Sequence, residues 1–356
     1  MLEDKNVSKT SLAEIGEFGL INQIKEGFPI KLESSIKGIG DDAAVLDYKK
    51  DKIVVSTDML VEGVNFSWSY MPLRHLGYKA VVTAISDILA MNAIPKQLLV
   101  SMAISNRFTI EAVDEIYNGM KYACDKYNID IVGGDTTSSV SGLVLSMTAI
   151  GSAPEKDLAY RNGAKENDLV VLSGDLGASF LGLQVLEREA QVSKVNPNNQ
   201  PDFENYSYLI ERQLKPEARL DIINLLKELK VKPTSMIDIS DGLSSEIIHL
   251  SKESGVGINI YEEKIPLDSI VIRTAEEFKI NPITCALSGG EDYELLFTID
   301  QKDFEKIKGN PHLTVIGHVT GKNEENYLIT RGSEQMVPLT AQGWGIETED
   351  EEVVLD

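Results

Sequence analysis

The order of apolar runs along the chain predicts a mixed protein, α/β or α+β, built as two domains. Three observations point there. At 356 residues the chain exceeds what one hydrophobic core usually serves. Apolar residues at 42 % and charged residues at 25 % give the balance of a folded globular chain, which sets aside disorder, collagen and coiled coil. Segments of helical period alternate with short β-rich runs instead of standing in separate blocks.

Taken in order, a first helix is expected from Ser11, where Glu14 three residues on completes a capping box. A glycine-broken stretch, Lys37 to Asp42, precedes a strand at Ile53 to Ser56 that ends in Thr57 and Asp58. Leu76, Ala80, Ala84, Ile88 and Met91 recur at helical spacing, so Leu73 to Met91 is read as a helix. A second follows Thr109 as N-cap and runs to about Tyr127. Ile129 to Val132 reads as a short strand entering Gly133-Gly134-Asp135, and Leu143 to Ile150 as another. Between Gly151 and Asp157 the composition turns small and charged, which places a domain boundary and divides the chain into 1–150 and 151–356.

The second half alternates. Strands are expected at Leu169 to Ser173, Met236 to Ile239, Tyr293 to Ile299 and Thr314 to Val319. Helices are expected at Ala178 to Glu189, Pro216 to Leu229 and Gly242 to Glu253. The Asn/Pro-rich segment from Gln191 to Tyr206 reads as a surface loop.

Composition narrows the function. Lys plus Arg number 34 against 56 Asp plus Glu, a net charge of −22, of which the segment Glu347 to Asp356 holds six acids. A nucleic-acid groove needs clustered cations, so none is expected. Two cysteines, Cys124 and Cys285, exclude a disulfide framework and a zinc cluster, and Cys124 reads as a small buried hydrophobe. No basic segment followed by an apolar run opens the sequence and no apolar run approaches membrane-spanning length, so a cytoplasmic protein with no membrane partner is expected.

Neither a phosphate-binding G-x-x-x-x-G-K-[ST] nor a G-x-G-x-x-G is present, and no pair among the four histidines has metal-ligand spacing. What stands out is a set of acids beside Gly, Ser or Thr at the ends of apolar runs. They are Asp41 and Asp42 in GIGDDAAV, Asp58 in VVSTDM, Asp135 in IVGGDTT, Asp238 and Asp241 in MIDISDGL, and Glu291 and Asp292 in ALSGGEDYEL. Asp87 differs, lying inside the apolar helix AISDILAM, where a charge is costly without a cation or strong donors. Each acid alone is an ordinary turn residue or helix cap. Together they form an all-oxygen set suited to Mg²⁺, with glycines that let a bulky anion approach the backbone. The pattern points to metal-assisted phosphate chemistry. If the acceptor is itself a phosphate, it is already ionised near neutral pH and needs no histidine base, so catalysis rests on alignment and charge neutralisation. Arg161 in AYRNGAK is a candidate phosphate contact.

These strings, with GEFGLI (Gly16 to Ile21), STDMLVEGVNF, YKAVVTAISDILAM, YRNGAK, LSGGEDYELLF and the closing Gly343-Trp344, resemble in order and spacing the thiamine-monophosphate kinase family, of the aminoimidazole-ribonucleotide-synthetase-like superfamily. The resemblance implies an N-terminal ATP- and Mg²⁺-binding domain whose sheet pairs with its copy in a homodimer, and a larger C-terminal α/β domain. It implies ATP-dependent phosphorylation of thiamine monophosphate to thiamine diphosphate by direct in-line transfer. Carried over by position, the metal ligands are Asp42, Ser56, Thr57, Asp58, Asp87, Asp135, Asp238 and Asp241, with Asp58, Asp135 and Asp241 central to catalysis. ATP contacts are Tyr117, Gly134, Arg161 and Ser240; substrate contacts are Asn65, Glu291 and Trp344. An aromatic such as Trp344 suits a thiazolium or pyrimidine ring. Two positions depart from the family: Asn65 stands where His is usual and Ala84 where Asn is frequent. Two other readings stay open, a different ATP-dependent enzyme of the superfamily and a non-catalytic metal-binding relative.

Overall fold

The computed structural model describes residues 35–37, 44–47, 51–105, 107–196, 203–332 and 335–341. The expected helix at Ser11, Asp41, Asp42, Trp344 and the acidic segment from Glu347 lie outside these residues. Two sheets organise the rest. The first has six strands in the order β1-β2-β3-β6-β4-β5: β1 (Ser35–Lys37), β2 (Ala44–Asp47), β3 (Lys52–Val61), β4 (Ile94–Ile104), β5 (Asp130–Ser138) and β6 (Leu143–Ala153). All its pairings are antiparallel except β4 with β5. The second has seven, in the order β13-β12-β9-β11-β7-β10-β8. These are β7 (Leu169–Ser173), β8 (Ser235–Asp238), β9 (Val256–Tyr261), β10 (Leu295–Ile299), β11 (Leu313–Lys322), β12 (Tyr327–Ile329) and β13 (Met336–Pro338).

Helix α1 (Leu73–Ala90) lies between the sheets, touching β3, β4 and β6 of the first and β8 of the second. That position explains why it is buried on nearly all sides instead of along one stripe. Helix α2 (Ile110–Tyr127) starts as the sequence predicts, with the Thr109 side chain accepting from the Ala112 N–H, and ends at Asn128 in the left-handed conformation. The two helices meet at glycines: a Cβ on Gly77 would lie 1.9 Å from the Ile116 carbonyl oxygen, and one on Gly119 1.9 Å from that of Arg74.

The second half adds α3 (Ala178–Val195), α4 (Ser207–Leu214), α5 (Leu220–Leu229), α6 (Leu243–Ser254), α7 (Ser269–Glu277), α8 (Pro282–Ser288) and the short α9 (Phe304–Ile307). One apolar cluster runs from the first sheet through α1 and α2 into Met236, Leu295 and Phe297 of the second, so the sheets share a core.

Two strand ends differ from expectation. β3 does not stop at Thr57-Asp58 but pairs with β6 through Val61, so Asp58 is mid-strand opposite Met147. β5 does not stop before its glycines either; a Cβ on Gly134 would lie 1.8 Å from the Val100 carbonyl oxygen, so that glycine allows close approach of β4.

Candidate active site

On α1, Lys79, Thr83, Ser86 and Asp87 recur about one turn apart and form one polar stripe in the buried part of the helix. Between them they meet groups from three other elements. In β3 the pleat turns Ser56 and Asp58 toward α1. The Ser56 hydroxyl donates to Asp87 Oδ2. Asp58 is pushed up by burial, pulled down by the Thr83 hydroxyl and by the Met59 N–H at 2.8 Å, and pushed up again by Glu291. The last residue of β8, Asp238, is buried and accepts from the Ser86 hydroxyl. From the loop between α8 and β10 comes Glu291, whose Oε1 lies 3.0 Å from the Lys79 ammonium.

The loop carrying Glu291 is held in an uncommon backbone shape. Glu291 and Tyr293 both have positive φ, +56° and +53°. Their N–H groups donate to the carbonyls of Ser240 at 2.7 Å and Ile239 at 2.9 Å. Gly290 makes this approach possible, since a Cβ there would lie 2.5 Å from the Ser240 oxygen. Such outliers persist only where the surroundings over-determine them. Buried Tyr293 marks the middle of the site: its phenol is pushed well up, by burial first and then by Glu291, Asp58, Asp238 and Asp87. Four carboxylates from four elements are therefore gathered along the polar stripe of α1.

Beside them, Glu246 of α6 accepts the N–H groups of Ser240 and Asp241 at 3.1 and 2.8 Å. Its own carboxyl is raised well above the usual range by burial, then by Asp241 and Asp238. It thereby fixes the loop that presents Ser240 and Asp241, both exposed. Asp292 faces away from the carboxylate group. It accepts the Gly177 N–H at 2.7 Å and the Ser179 N–H at 3.3 Å, and with Glu294, Arg212 and Arg219 forms a buried ionic layer behind the loop.

Other expected residues stand apart. Thr57 points to the opposite face of the sheet from Asp58, donating to the Met147 carbonyl at 3.1 Å. Gly134 and Asp135 sit exposed on β5, and Asp58 opposite Met147, Val100 and Gly134 in succession is three strand spacings, roughly 14 Å, from that row. Tyr117 is half-buried on α2, and the Arg161 carbonyl accepts the Ser254 hydroxyl at 2.9 Å. Asn65 closes its own turn, its side-chain oxygen accepting the Val61 N–H at 3.0 Å, which leaves the amide NH₂ for other partners. Ala84 is wholly buried. Cys124 is buried as expected, its thiol pushed up to about 11 by burial.

The donor set fits a hard cation. It is oxygen throughout, from Asp58, Asp87, Asp238 and Ser56. Among the described residues no three His, Cys, Asp or Glu side chains close around a single point. Oxygen ligands suit a hard cation such as Mg²⁺, which takes one or two carboxylates and completes its shell with water and phosphate oxygens. Tyr70 borders a largely apolar cleft of about 700 Å³, lined also by Trp68, Met71, Phe203 and Leu214, the residue after the Gln213 that donates to Glu291. The Tyr70 phenol is pushed up to about 12 by burial, then by Glu187 and Glu291.

Sequence reasoning missed Lys79, Thr83 and Ser86. Their signal is polar residues repeating at one-turn spacing within an apolar helix, of which only Asp87 draws attention by its charge. Among the described residues no helix is long and apolar enough to cross a membrane.

Comparison with known proteins places this geometry. Residues 40–153 match the family model for the AIR synthase related protein N-terminal domain, and residues 165–329 that for the C-terminal domain. The thiamine-monophosphate kinase of Aquifex aeolicus is 38 % identical over 86 % of this chain and 92 % of its own length. That of Bacillus subtilis is 35 % identical over 90 % and 96 %. A solved structure described as AaThiL complexed with AMPPCP and TMP superposes with a TM-score of 0.78 at 34 % identity, covering 92 % of this chain and 97 % of that one. The chain therefore belongs to the AIR synthase related proteins and, within them, to the thiamine-monophosphate kinase family.

Proposed function

We propose that this protein transfers the γ-phosphoryl group of ATP to the phosphate of thiamine monophosphate, giving thiamine diphosphate and ADP. An oxygen of the monophosphate forms the new bond to the γ-phosphorus, and the bond from that phosphorus to the β–γ bridging oxygen breaks in line, its electron pair leaving with ADP. The observation that carries the reading is the gathering of Asp58, Asp87, Asp238 and Glu291 along the polar stripe of α1, in a family whose relatives carry this name. An ionised phosphate acceptor needs no general base.

In this reading Asp42, Ser56, Asp58, Asp87, Asp135, Asp238 and Asp241 hold the metal with their side chains, and Thr57, whose hydroxyl is turned to the opposite face, joins them only through its main chain. Bound Mg²⁺ supplies charge neutralisation and alignment of the phosphates. Ser56 and Thr83 orient Asp87 and Asp58, while Glu246 fixes the Ser240–Asp241 loop against the nucleotide. Tyr117, Gly134, Arg161 and Ser240 serve ATP. Asp135 and Gly134, three strands from Asp58, hold a separate part of the ATP–magnesium complex. Glu291, Asn65 and Trp344 serve the thiamine end, for which the cleft beside Tyr70 offers apolar room. Residues 1–150 form the nucleotide- and metal-binding half and 151–356 the second half. A homodimer is supported by the first sheet's face away from α1, where Met59 and Leu99 stand exposed.

The substitution that tests the site is Asp58→Asn. Turnover falls by at least about a hundredfold while the circular dichroism spectrum is unchanged. Near-wild-type turnover with the same Mg²⁺ requirement would remove Asp58 from the site.

A further inference from the structure

Lys79 is 1 % exposed in the middle of α1, yet its ammonium has two described partners only a short reach away. These are Glu291 Oε1 at 3.0 Å and the Gln213 carbonyl at 3.1 Å. Gln213, itself buried, donates from Nε2 to the other oxygen, Glu291 Oε2, at 3.0 Å. Its side-chain oxygen accepts from the Ser179 hydroxyl, which fixes the amide's orientation. Both oxygens of Glu291 are thus gripped from behind, one by α1 and one by α4, while 30 % of the side chain remains open. The backbone of the same residue is pinned at φ +56° by its bond to Ser240.

Stability alone does not account for this arrangement. A buried lysine paired with a carboxylate pays a desolvation cost that well-packed apolar residues would avoid, so such pairs rarely raise net stability. Lys79 is also the stripe's one cation, offsetting the charge of the acids gathered around Tyr293. We infer that Lys79 and Gln213 are positioning residues for Glu291, holding its carboxylate in one orientation toward the thiamine end of the substrate and so setting affinity for that end and not for ATP. The inference rests on the assignment of Glu291 as a substrate contact.

The test compares Lys79→Met, Gln213→Met, Glu291→Gln and the double variant Lys79→Met/Glu291→Gln, each measured for the KM of thiamine monophosphate, the KM of ATP, kcat and thermal midpoint. Lys79→Met raises the KM for thiamine monophosphate roughly ten- to a hundredfold, the worth of one or two hydrogen bonds to a charged group, and leaves the KM for ATP unchanged. Gln213→Met, which strands no charge, gives a smaller rise of the same selectivity and serves if Lys79→Met does not fold. The double variant is no worse than Glu291→Gln alone, because the two act through one carboxylate. An equal rise in both KM values, no rise, or full additivity in the double variant overturns the positioning role. If Glu291→Gln itself leaves the KM for thiamine monophosphate unchanged, the substrate assignment of Glu291 fails first and the inference falls with it.

Discussion

Asp292 shows how one carboxyl can couple this site's scaffold to pH. Burial outweighs Arg212 and two backbone N–H donors, so its pKa is pushed up from 3.8 to about 6. The folded state therefore binds this proton more tightly than the unfolded chain. Folding takes up a proton between about pH 4 and pH 6, and the contribution is most favourable at the acid end and is lost as pH rises through 6. Urea midpoints of the wild type and Asp292→Asn, followed across that range, should diverge, the wild type losing ground with rising pH. Parallel curves would show that Asp292 titrates as an ordinary carboxyl. At the same scale, the sequence marked the acids well but not their roles. Asp238 and Glu291 join the carboxylate group, whereas neighbouring Asp292 is a structural pin on Gly177 and Ser179. Adjacent letters in ALSGGEDYEL cannot reveal this, because alternate left-handed residues turn the side chains to opposite sides.

Among the elements, α1 matters most, since every group in the carboxylate cluster either sits on it or touches it. Its placement depends on the crossing with α2 at Gly77 and Gly119, where main chain meets main chain. Gly77→Ala puts a methyl 1.9 Å from the Ile116 oxygen, so the helices must part. We expect a loss of about 1–3 kcal/mol in urea unfolding, with reduced turnover as the stripe shifts. Unchanged stability would mean the crossing is looser than described. Helices α1, α2 and α6 were legible from period and caps, Thr109 above all. β4 was not read, because Pro95, Lys96 and Gln97 break its apolar alternation; what makes it a strand is its place between β6 and β5. α3 continues six residues beyond Glu189, to Val195, since polar residues can extend a helix whose first turns are anchored in the core. Short elements such as β12, β13 and α8 carry too few residues to show a period.

Across the whole molecule, two sheets share one apolar cluster around α1, which brings the distant strings STDM, AISD, DISD and GGEDYE to one place. No local pattern encodes that meeting; only the order of all the strings together pointed to it. The first sheet's outer face leaves Met59 and Leu99 exposed, and the proposed homodimer would cover it. Light scattering at micromolar concentration should give twice the chain mass, and a fully active monomer would contradict the homodimer. The central claim is the reaction, and ADP release with ATP and Mg²⁺ tests it most directly, with thiamine monophosphate, free thiamine and aminoimidazole precursors compared and the product identified by mass. ADP together with thiamine diphosphate, formed from the monophosphate alone, is the predicted result. ADP released only with an aminoimidazole precursor, or no turnover with any of them despite Mg²⁺ binding, would contradict it.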